Sequence, residues 1–189
     1  IENCSSGGMR LDWSLLARHS IASSSDQQDY RLNGRIAALG PSAATPEQWA
    51  VWAYPLAASS REETVFNMVN ALLGRIHLSG QLAALNAENG ALVAEAITLY
   101  KSMRTEIRKA LPFWPTGLPA FGDELWTLGL RGPRRTFLAV WKTREDARAL
   151  PLPAPHRPRR VLYPDMAAGE LDGGTLNVPA GPCARLLEL

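Results

Sequence analysis

The stretch Ser20-Ile21-Ala22-Ser23-Ser24-Ser25-Asp26 decides how the first part of this chain folds. Small and apolar residues that end in serines predict a short strand, and a segment of helical pattern at residues 27–39 follows it directly. That segment stops at Gly40-Pro41, a pair that breaks helices because proline cannot continue the backbone hydrogen bonds. A strand followed by a helix is the repeating unit of parallel α/β folds.

The same unit recurs on either side of this stretch. Predicted strands at residues 1–4, 49–54 and 75–79 are followed by predicted helices at residues 11–18, 60–74 and 86–109. The third helix begins with a capping box, in which Ser60 and Glu63 each satisfy one free backbone donor. Four strand–helix units are half of what a (β/α)8 barrel needs. We therefore predict the C-terminal half of such a barrel at residues 1–118.

The pattern changes after residue 110. Three prolines and a glycine at residues 111–119 exclude a helix there. Two-residue alternation then predicts short strands at 136–142, 161–163, 175–178 and 183–187, with a turn at Asp172-Gly173-Gly174. Residues 150–160, rich in proline and arginine, are interpreted as a surface connection. The predicted fold class is α/β plus all-β, with a small antiparallel β-sandwich-like domain at residues 119–189.

Composition excludes several classes of function. The 20 basic and 18 acidic residues leave a net charge of +2, which gives no argument for nucleic acid or a membrane surface as partner. No apolar run approaches the roughly 18 residues that span a bilayer. Cys4 and Cys183 give neither a disulfide framework nor a metal-binding spacing, and His19, His77 and His156 are too scattered for a metal site. We predict no metal and no cofactor.

Functional residues of a barrel lie at the C-terminal ends of its strands. The positions that satisfy this rule are residues 2–10, Asp26, the Tyr54-Pro55 region and residues 75–79. Asp26 has two interpretations at this point, the N-cap of the following helix or a general acid/base at the strand end. Cys4, a lone cysteine, is more often a small buried side chain than a nucleophile.

Two further patterns have open interpretations. Gly7-Gly8 lacks the spacing of a phosphate-binding loop, and its plain use is close backbone approach to a ligand or a neighbouring strand. Four tryptophans could stack on a sugar ring, although a tryptophan in an apolar stretch usually belongs to the core. They are Trp13, Trp49, Trp52 and Trp114.

Two segments together resemble the α-galactosidases of glycoside hydrolase family thirty-six. Residues 2–12, Glu-Asn-Cys-Ser-Ser-Gly-Gly-Met-Arg-Leu-Asp, resemble that family's Glu-Ser/Asn-Cys-x-Ser-Gly-Gly-Gly-Arg-x-Asp signature. Residues 25–29, Ser-Asp-Gln-Gln-Asp, resemble its Trp-Thr-Ser-Asp-x-x-Asp segment at the right distance downstream. Residues 113–119 and 137–141 are similar to its junction segment and to the start of its C-terminal β domain. The resemblance runs over essentially the whole chain.

The resemblance implies a part of a retaining enzyme that hydrolyses terminal α-galactosides of the melibiose and raffinose type by double displacement. Asp26 matches the general acid/base, Cys4, Gly7 and Gly8 match the wall of the galactose subsite, and Arg10 matches a residue that braces this loop. The family's nucleophile lies in a Lys-x-Asp-x-Asn segment that this sequence does not contain.

Three positions depart from the family pattern. Met9 stands where the family has a third glycine, and Ser23 and Ser24 stand where it has tryptophan and threonine. These differences leave the choice between galactose and N-acetylgalactosamine open, and also the choice between hydrolysis and transfer.

The opening residues form a dense loop without a preceding methionine, which we interpret as part of a longer protein. We predict an α-galactoside oligosaccharide as partner, no turnover by the 189 residues alone, and a cytoplasmic rather than a secreted protein. A homo-oligomer is compatible with the resemblance. The alternative is a non-catalytic carbohydrate-binding or remnant module. An unrelated α/β hydrolase is disfavoured because the Gly-x-Ser-x-Gly elbow is absent.

Overall fold

A computed structural model describes residues 1–146, 149–152 and 157–189, and the side chains of Ser5 and Ser6 lie outside the description. The described strands form one parallel sheet and two antiparallel sheets. None of the described helices is long and apolar enough to cross a membrane.

The first part of the chain alternates strands and helices, as predicted. Its parallel sheet has the order β1-β2-β3-β4, with β1 at Glu2–Asn3, β2 at Ile21–Ser23, β3 at Trp49–Ala53 and β4 at Arg75–Leu78. The helices are α1 (Ser5–Gly8), α2 (Trp13–Leu16), α3 (Tyr30–Leu39), α4 (Arg61–Leu72) and α5 (Ala87–Ile107). The predicted capping box is confirmed at the start of α4, since Ser60 Oγ accepts from the Glu63 N–H and the Glu63 carboxylate accepts from the Ser60 N–H.

The parallel sheet is curved. Its two edge strands are three strand spacings apart, which would hold their side chains roughly 14 Å apart in a flat sheet. Glu2 on β1 and His77 on β4 nevertheless approach to 3.8 Å between a carboxylate oxygen and Nδ1. The His77 ring meets Trp52 of β3 edge to face, with centroids 4.8 Å apart, and the Trp52 indole N–H donates to Ser23 Oγ of β2 at 3.0 Å. We call the face that carries these four side chains the concave face.

The second part of the chain is antiparallel. A five-stranded sheet has the order β5-β6-β7-β12-β9, formed by Leu111–Phe113, Leu125–Arg131, Thr136–Lys142, Cys183–Glu188 and Arg160–Tyr163. A three-stranded sheet has the order β10-β11-β8, formed by Leu171–Asp172, Thr175–Asn177 and Ala149–Pro151. The predicted turn at Asp172 joins β10 to β11 through Gly173 and Gly174, both at positive φ. The sandwich-like character of this part and the boundary at residue 118 stay predictions.

The sequence interpretation missed strands in this part. β6 was not predicted because its residues are buried on both faces and Gly129 interrupts the alternation. A Cβ at Gly129 would lie 2.1 Å from the Phe113 ring of β5, so glycine is required where the two strands meet. β8 lies partly within the predicted surface connection at residues 150–160 and pairs with β11, which corrects that interpretation. The rest of the connection, including His156, reaches outside the described residues.

One hydrophobic core joins the helices to the five-stranded sheet. Its buried residues come from α3, α4 and α5 on one side and from β6, β7, β9 and β12 on the other. Three indole N–H groups donate across this boundary: Trp114 to the Ala38 carbonyl, Trp126 to the Gly34 carbonyl and Trp141 to Asn70 Oδ1. A second core fills the opposite face of the same sheet and reaches the three-stranded sheet. The five-stranded sheet is therefore buried on both faces.

A buried arginine adds an ionic link at this boundary. The Arg185 side chain on β12 is 1% exposed and donates to Glu170 at 2.7 Å and to Glu62, on the first turn of α4, at 2.8 Å. Burial alone would lower the pKa of Arg185, but hydrogen bonds to the two carboxylates outweigh it and raise the pKa. The guanidinium therefore stays charged and compensates Glu170, and it shares Glu62 with Arg61, whose guanidinium lies 3.4 Å from a Glu62 carboxylate oxygen.

Replacement of Arg185 by alanine should destabilise the chain by about 3 kcal/mol or more, because it removes the cation of partly buried Glu170 and leaves Glu62 with only its longer contact to Arg61. Arg144→Ala is the matched control, since Arg144 is 49% exposed and pairs with exposed Glu124 and Asp146. That change should cost less than about 1 kcal/mol. Free energies of unfolding from urea titrations measure both, and equal losses would contradict the role assigned to Arg185.

Candidate functional site

The carboxyl ends of the four parallel strands meet at one edge of the sheet and bring three chain segments together. β1 leads into residues 4–10, β2 leads to Asp26, and β3 leads to Tyr54. The Asn3 side-chain amide donates to the Arg10 carbonyl at 2.8 Å, which closes residues 4–10 into a loop. We call this loop the glycine loop.

The glycine loop lies directly against the end of β2. Gly7 and Gly8 have φ values of +73° and +90°, which L-residues rarely adopt. A Cβ at Gly7 would lie 3.1 Å from a carboxylate oxygen of Asp26, and a Cβ at Gly8 would lie 2.2 Å from the Ser24 carbonyl oxygen. The sequence left two uses open for these glycines, close approach to a ligand or to a neighbouring strand. The structure shows the approach to a neighbouring strand, which brings Gly7 against Asp26.

The N-cap of α3 is Asp29. Its carboxylate accepts from the N–H groups of Arg31 and Leu32 at 2.8 and 3.2 Å. Two polar side chains earlier in this segment also accept hydrogen bonds from the backbone: Gln27 accepts from the Asp29 N–H, and Ser25 accepts from the Gln27 N–H.

The Asp26 side chain does not cap the helix. Its carboxylate accepts no hydrogen bond from the residues that the structure describes, and the residue is exposed. The capping interpretation of Asp26 is therefore wrong. An exposed, uncommitted carboxylate at the end of a strand is free to act on a ligand.

Tyr54, from the Tyr54-Pro55 region predicted as a strand-end position, enters the same edge from β3. The side chain is half-buried, and burial together with the negative charge of Asp26 raises the pKa of its phenol. The phenol therefore stays protonated.

The concave face lies below this edge and supplies the floor of the site. Trp52 is two residues before Tyr54 and shares its face of the strand, because side chains alternate along β3. Of the four tryptophans that could stack on a sugar, Trp52 is the one on the concave face, where its indole N–H donates to Ser23 Oγ at 3.0 Å. Trp49 is buried in the core, and Trp13 is 80% exposed on α2.

The remaining predicted residues lie on the glycine loop or beside it. Cys4 is exposed, which corrects the expectation of a buried thiol. Arg10 is exposed at the end of the loop, held through its carbonyl by Asn3. Asp12 caps α2 by accepting from the Leu15 N–H, and hydrogen bonds from Ser14 and Leu15 lower the pKa of its carboxyl. Within the described residues, no group of three or more side chains could hold a metal ion.

A cavity of about 900 Å³ lies at the opposite end of the sheet. Ile21 and Arg75, which line it, are the first residues of β2 and β4, so it faces the amino ends of the strands. Its basic lining residues are Arg75, Arg104, Arg108, Lys109 and Arg134, against the acidic Glu47 and Glu106. Glu106 is already paired with Arg134 at 2.8 Å. We call this cavity the basic groove.

Comparison with known proteins gives no match in sequence but a match in structure. No family profile and no curated protein matches the sequence. A variant of the α-galactosidase AgaA from Geobacillus stearothermophilus, solved with raffinose, superimposes with a TM-score of 0.75 at 12% identity, over 99% of this chain and 28% of that one.

Two other enzymes superimpose similarly. The galactosidase domain of the α-galactosidase-sucrose kinase AgaSK gives a TM-score of 0.70 at 18% identity, over 97% of this chain and 28% of that one. An α-galactosidase from Lactobacillus brevis gives 0.69 at 14% identity with the same coverages. The resemblance to family thirty-six is thus confirmed at the level of the fold, and the chain spans 28% of the length of these enzymes.

Replacement of Gly8 by alanine should push the glycine loop away from β2. Gly117→Ala is the matched control, because Gly117 has a φ of +83° with open space around it, whereas Gly8 faces the Ser24 carbonyl. Both changes carry the cost of positive φ, and Gly8→Ala adds a steric cost of about 1–3 kcal/mol. Hydrogen exchange of the loop amides should accelerate about tenfold or more in Gly8→Ala alone. Equal acceleration in both variants would contradict this packing.

Proposed function

We propose that this chain is part of a retaining α-galactosidase and that Asp26 is its general acid/base. The observation that carries the proposal is the uncommitted Asp26 carboxylate at the end of β2, with Asp29 as the helix cap and Gly7 packed against it. The fold shared with family thirty-six α-galactosidases supports the same assignment.

The chemistry requires two carboxyl groups. In the first step, Asp26 donates its proton to the glycosidic oxygen while a second carboxylate attacks the anomeric carbon, and the bond to the leaving group breaks. In the second step, Asp26 takes a proton from water, whose oxygen displaces the enzyme carboxylate and releases galactose. Retention requires the two groups about 5–5.5 Å apart. The nucleophile is contributed by a part of the protein outside these 189 residues.

The glycine loop forms the wall of the galactose subsite in this proposal. Cys4, Gly7 and Gly8 line the sugar beside Asp26, and Arg10 braces the end of the loop. Glycine at position 7 leaves room between backbone and carboxylate, because a Cβ there would already lie within 3.1 Å of Asp26. Met9, which stands where the family has a third glycine, has an exposed side chain on this loop.

The curved sheet is half of a closed barrel in this proposal. β1 and β4 are its edges and pair on one side only among the described strands, whereas parallel sheets are normally covered and closed. The contact of Glu2 with His77 supports the curvature that closure needs. The basic groove beside β4 offers the space in which a further strand would pair, and its excess of basic side chains favours acidic residues on that strand.

Asp26→Asn in the full protein should lower kcat/KM for melibiose-type substrates such as raffinose by about 10²–10⁴-fold, which is the contribution expected of a positioned general acid. Dinitrophenyl α-galactoside should lose far less, because its leaving group departs without protonation. Asp29→Asn is the matched control, since asparagine caps helices as well as aspartate does and should leave the activity unchanged.

Steady-state kinetics of the two variants on both substrates decide the assignment. Full activity of Asp26→Asn on raffinose would overturn it. Binding of galactosides by the full protein without hydrolysis would favour the alternative of a non-catalytic carbohydrate-binding module.

A further inference from the structure

We propose that Trp52 is the sugar-stacking residue of the galactose subsite: its indole occupies, from β3, the space beside Ser23 that the family fills with a tryptophan on β2. This inference rests on the proposed function and adds a binding residue to it. Three observations carry it: the contacts that hold the indole, its exposure on the concave face and the serine at position 23.

The Trp52 indole is held in one orientation by side chains of both neighbouring strands. Its N–H donates to Ser23 Oγ of β2 at 3.0 Å. On the other side, its ring meets the His77 ring of β4 edge to face, with centroids 4.8 Å apart and an angle of 74° between the planes. His77 Nδ1 is in turn 3.8 Å from a carboxylate oxygen of Glu2 on β1. The contacts that fix the ring therefore reach across all four strands of the parallel sheet.

The backbone of Trp52 is fixed as well. The side-chain amide of the buried Asn33 on α3 donates to the Trp52 carbonyl at 2.8 Å. The strand residues on either side, Val51 and Ala53, pair in parallel register with β4. An aromatic side chain whose backbone and ring are both held loses little conformational freedom when a ligand binds to it.

Trp52 is the residue of β3 that remains open to a ligand. The other four residues of this strand are buried, whereas Trp52 is half-buried. Ser23, which accepts the indole N–H, is 1% exposed. The indole, and not the serine, therefore forms the surface of the concave face at this point. Concave surfaces lined by aromatic rings with a few polar groups are typical of small-molecule sites.

The serine at position 23 makes room for this indole. The family has a tryptophan at this position of β2, three residues before its general acid/base. A ring at position 23 would begin close to where Ser23 Oγ lies, 3.0 Å from the Trp52 indole nitrogen, so two rings would compete for the same space. The small residue on β2 and the large residue on β3 therefore form an exchange, which keeps the aromatic surface and moves it to the neighbouring strand.

The chemistry of galactose suits an aromatic partner. Its axial hydroxyl leaves one face of the sugar ring with a patch of C–H groups, and their slight positive charge is attracted to the negative face of an indole. The contact is the same before and during the reaction, so it contributes to substrate binding more than to the rate of the chemical step.

Galactose binding by the full protein tests the stacking with two variants of Trp52. Leucine fills space but offers no ring face, so Trp52→Leu should weaken the affinity for galactose about tenfold and raise KM for raffinose by a similar factor. Phenylalanine keeps a ring face, and Trp52→Phe should stay within about threefold of the wild type. Isothermal titration calorimetry with galactose measures the affinities.

Trp13→Leu is the matched control, since Trp13 is 80% exposed on α2, away from the concave face, and should leave the galactose affinity unchanged. Equal losses in Trp52→Phe and Trp52→Leu would identify a tryptophan that only fills space and would overturn the inference. Unchanged affinity in Trp52→Leu would overturn it as well.

The exchange between the strands is tested by moving the ring back to β2. Ser23→Trp alone should lower the melting temperature, because two indoles compete for one space. Trp52→Ser alone should bind galactose about tenfold more weakly. The double variant should regain an affinity within about threefold of the wild type, a coupling that independent positions do not show. A double variant that binds as weakly as Trp52→Ser would overturn the exchange.

Two results of the same experiments separate this inference from the proposed function. A wild-type protein that cleaves raffinose, together with a Trp52→Leu variant of unchanged galactose affinity, would overturn the stacking role alone. A wild-type protein that neither binds galactose nor cleaves raffinose would overturn the proposed function and the stacking role together.

Discussion

The burial of helix α4 beyond its first turn is the constraint on which the rest of the structure depends. Nine of its twelve residues are buried, including the polar Thr64, Asn67 and Asn70, so each buried amide must find a partner inside the protein. Asn70 donates to the Tyr30 carbonyl at the start of α3 and accepts from Trp141 of β7. Asn67 accepts from the backbone at the end of β3. One helix thereby fixes where a neighbouring helix begins, where a strand ends and where the antiparallel sheet docks.

The candidate site lies where these strands end. The ends of β2 and β3 bring a carboxylate and a phenol to one edge of the sheet, and the glycine loop packs against the end of β2 because two residues without side chains allow the approach. Asp26 and Asp29 differ for a local reason. The Asp29 carboxylate satisfies the free N–H groups at the start of α3, and the Asp26 carboxylate, three residues earlier, caps no helix.

Much of this could be predicted from the sequence, and the failures have identifiable causes. The strand–helix order, the capping box at Ser60 and the turn at Asp172 are decided by neighbouring residues and were predicted correctly. The choice between Asp26 and Asp29 as helix cap depends on where α3 begins, a boundary that both carboxylates fit equally well in sequence. β6 was missed because burial on both faces removes the alternation by which a strand is recognised. The position of the Tyr54 side chain and the exposure of Cys4 depend on packing between distant segments.

The core that α3, α4 and α5 share with the five-stranded sheet limits how this protein can be engineered. A shortened form that ends before β6 would expose the flank of α4 covered by Trp126 and Trp141. It would also leave Asn70 Oδ1 without its indole donor. Chimeras that take the antiparallel part from another protein of this fold face the same difficulty, because the replacement must supply indole donors for the same acceptors on α3 and α4. The natural unit for transplantation is therefore the helical layer together with the sheet that packs on it.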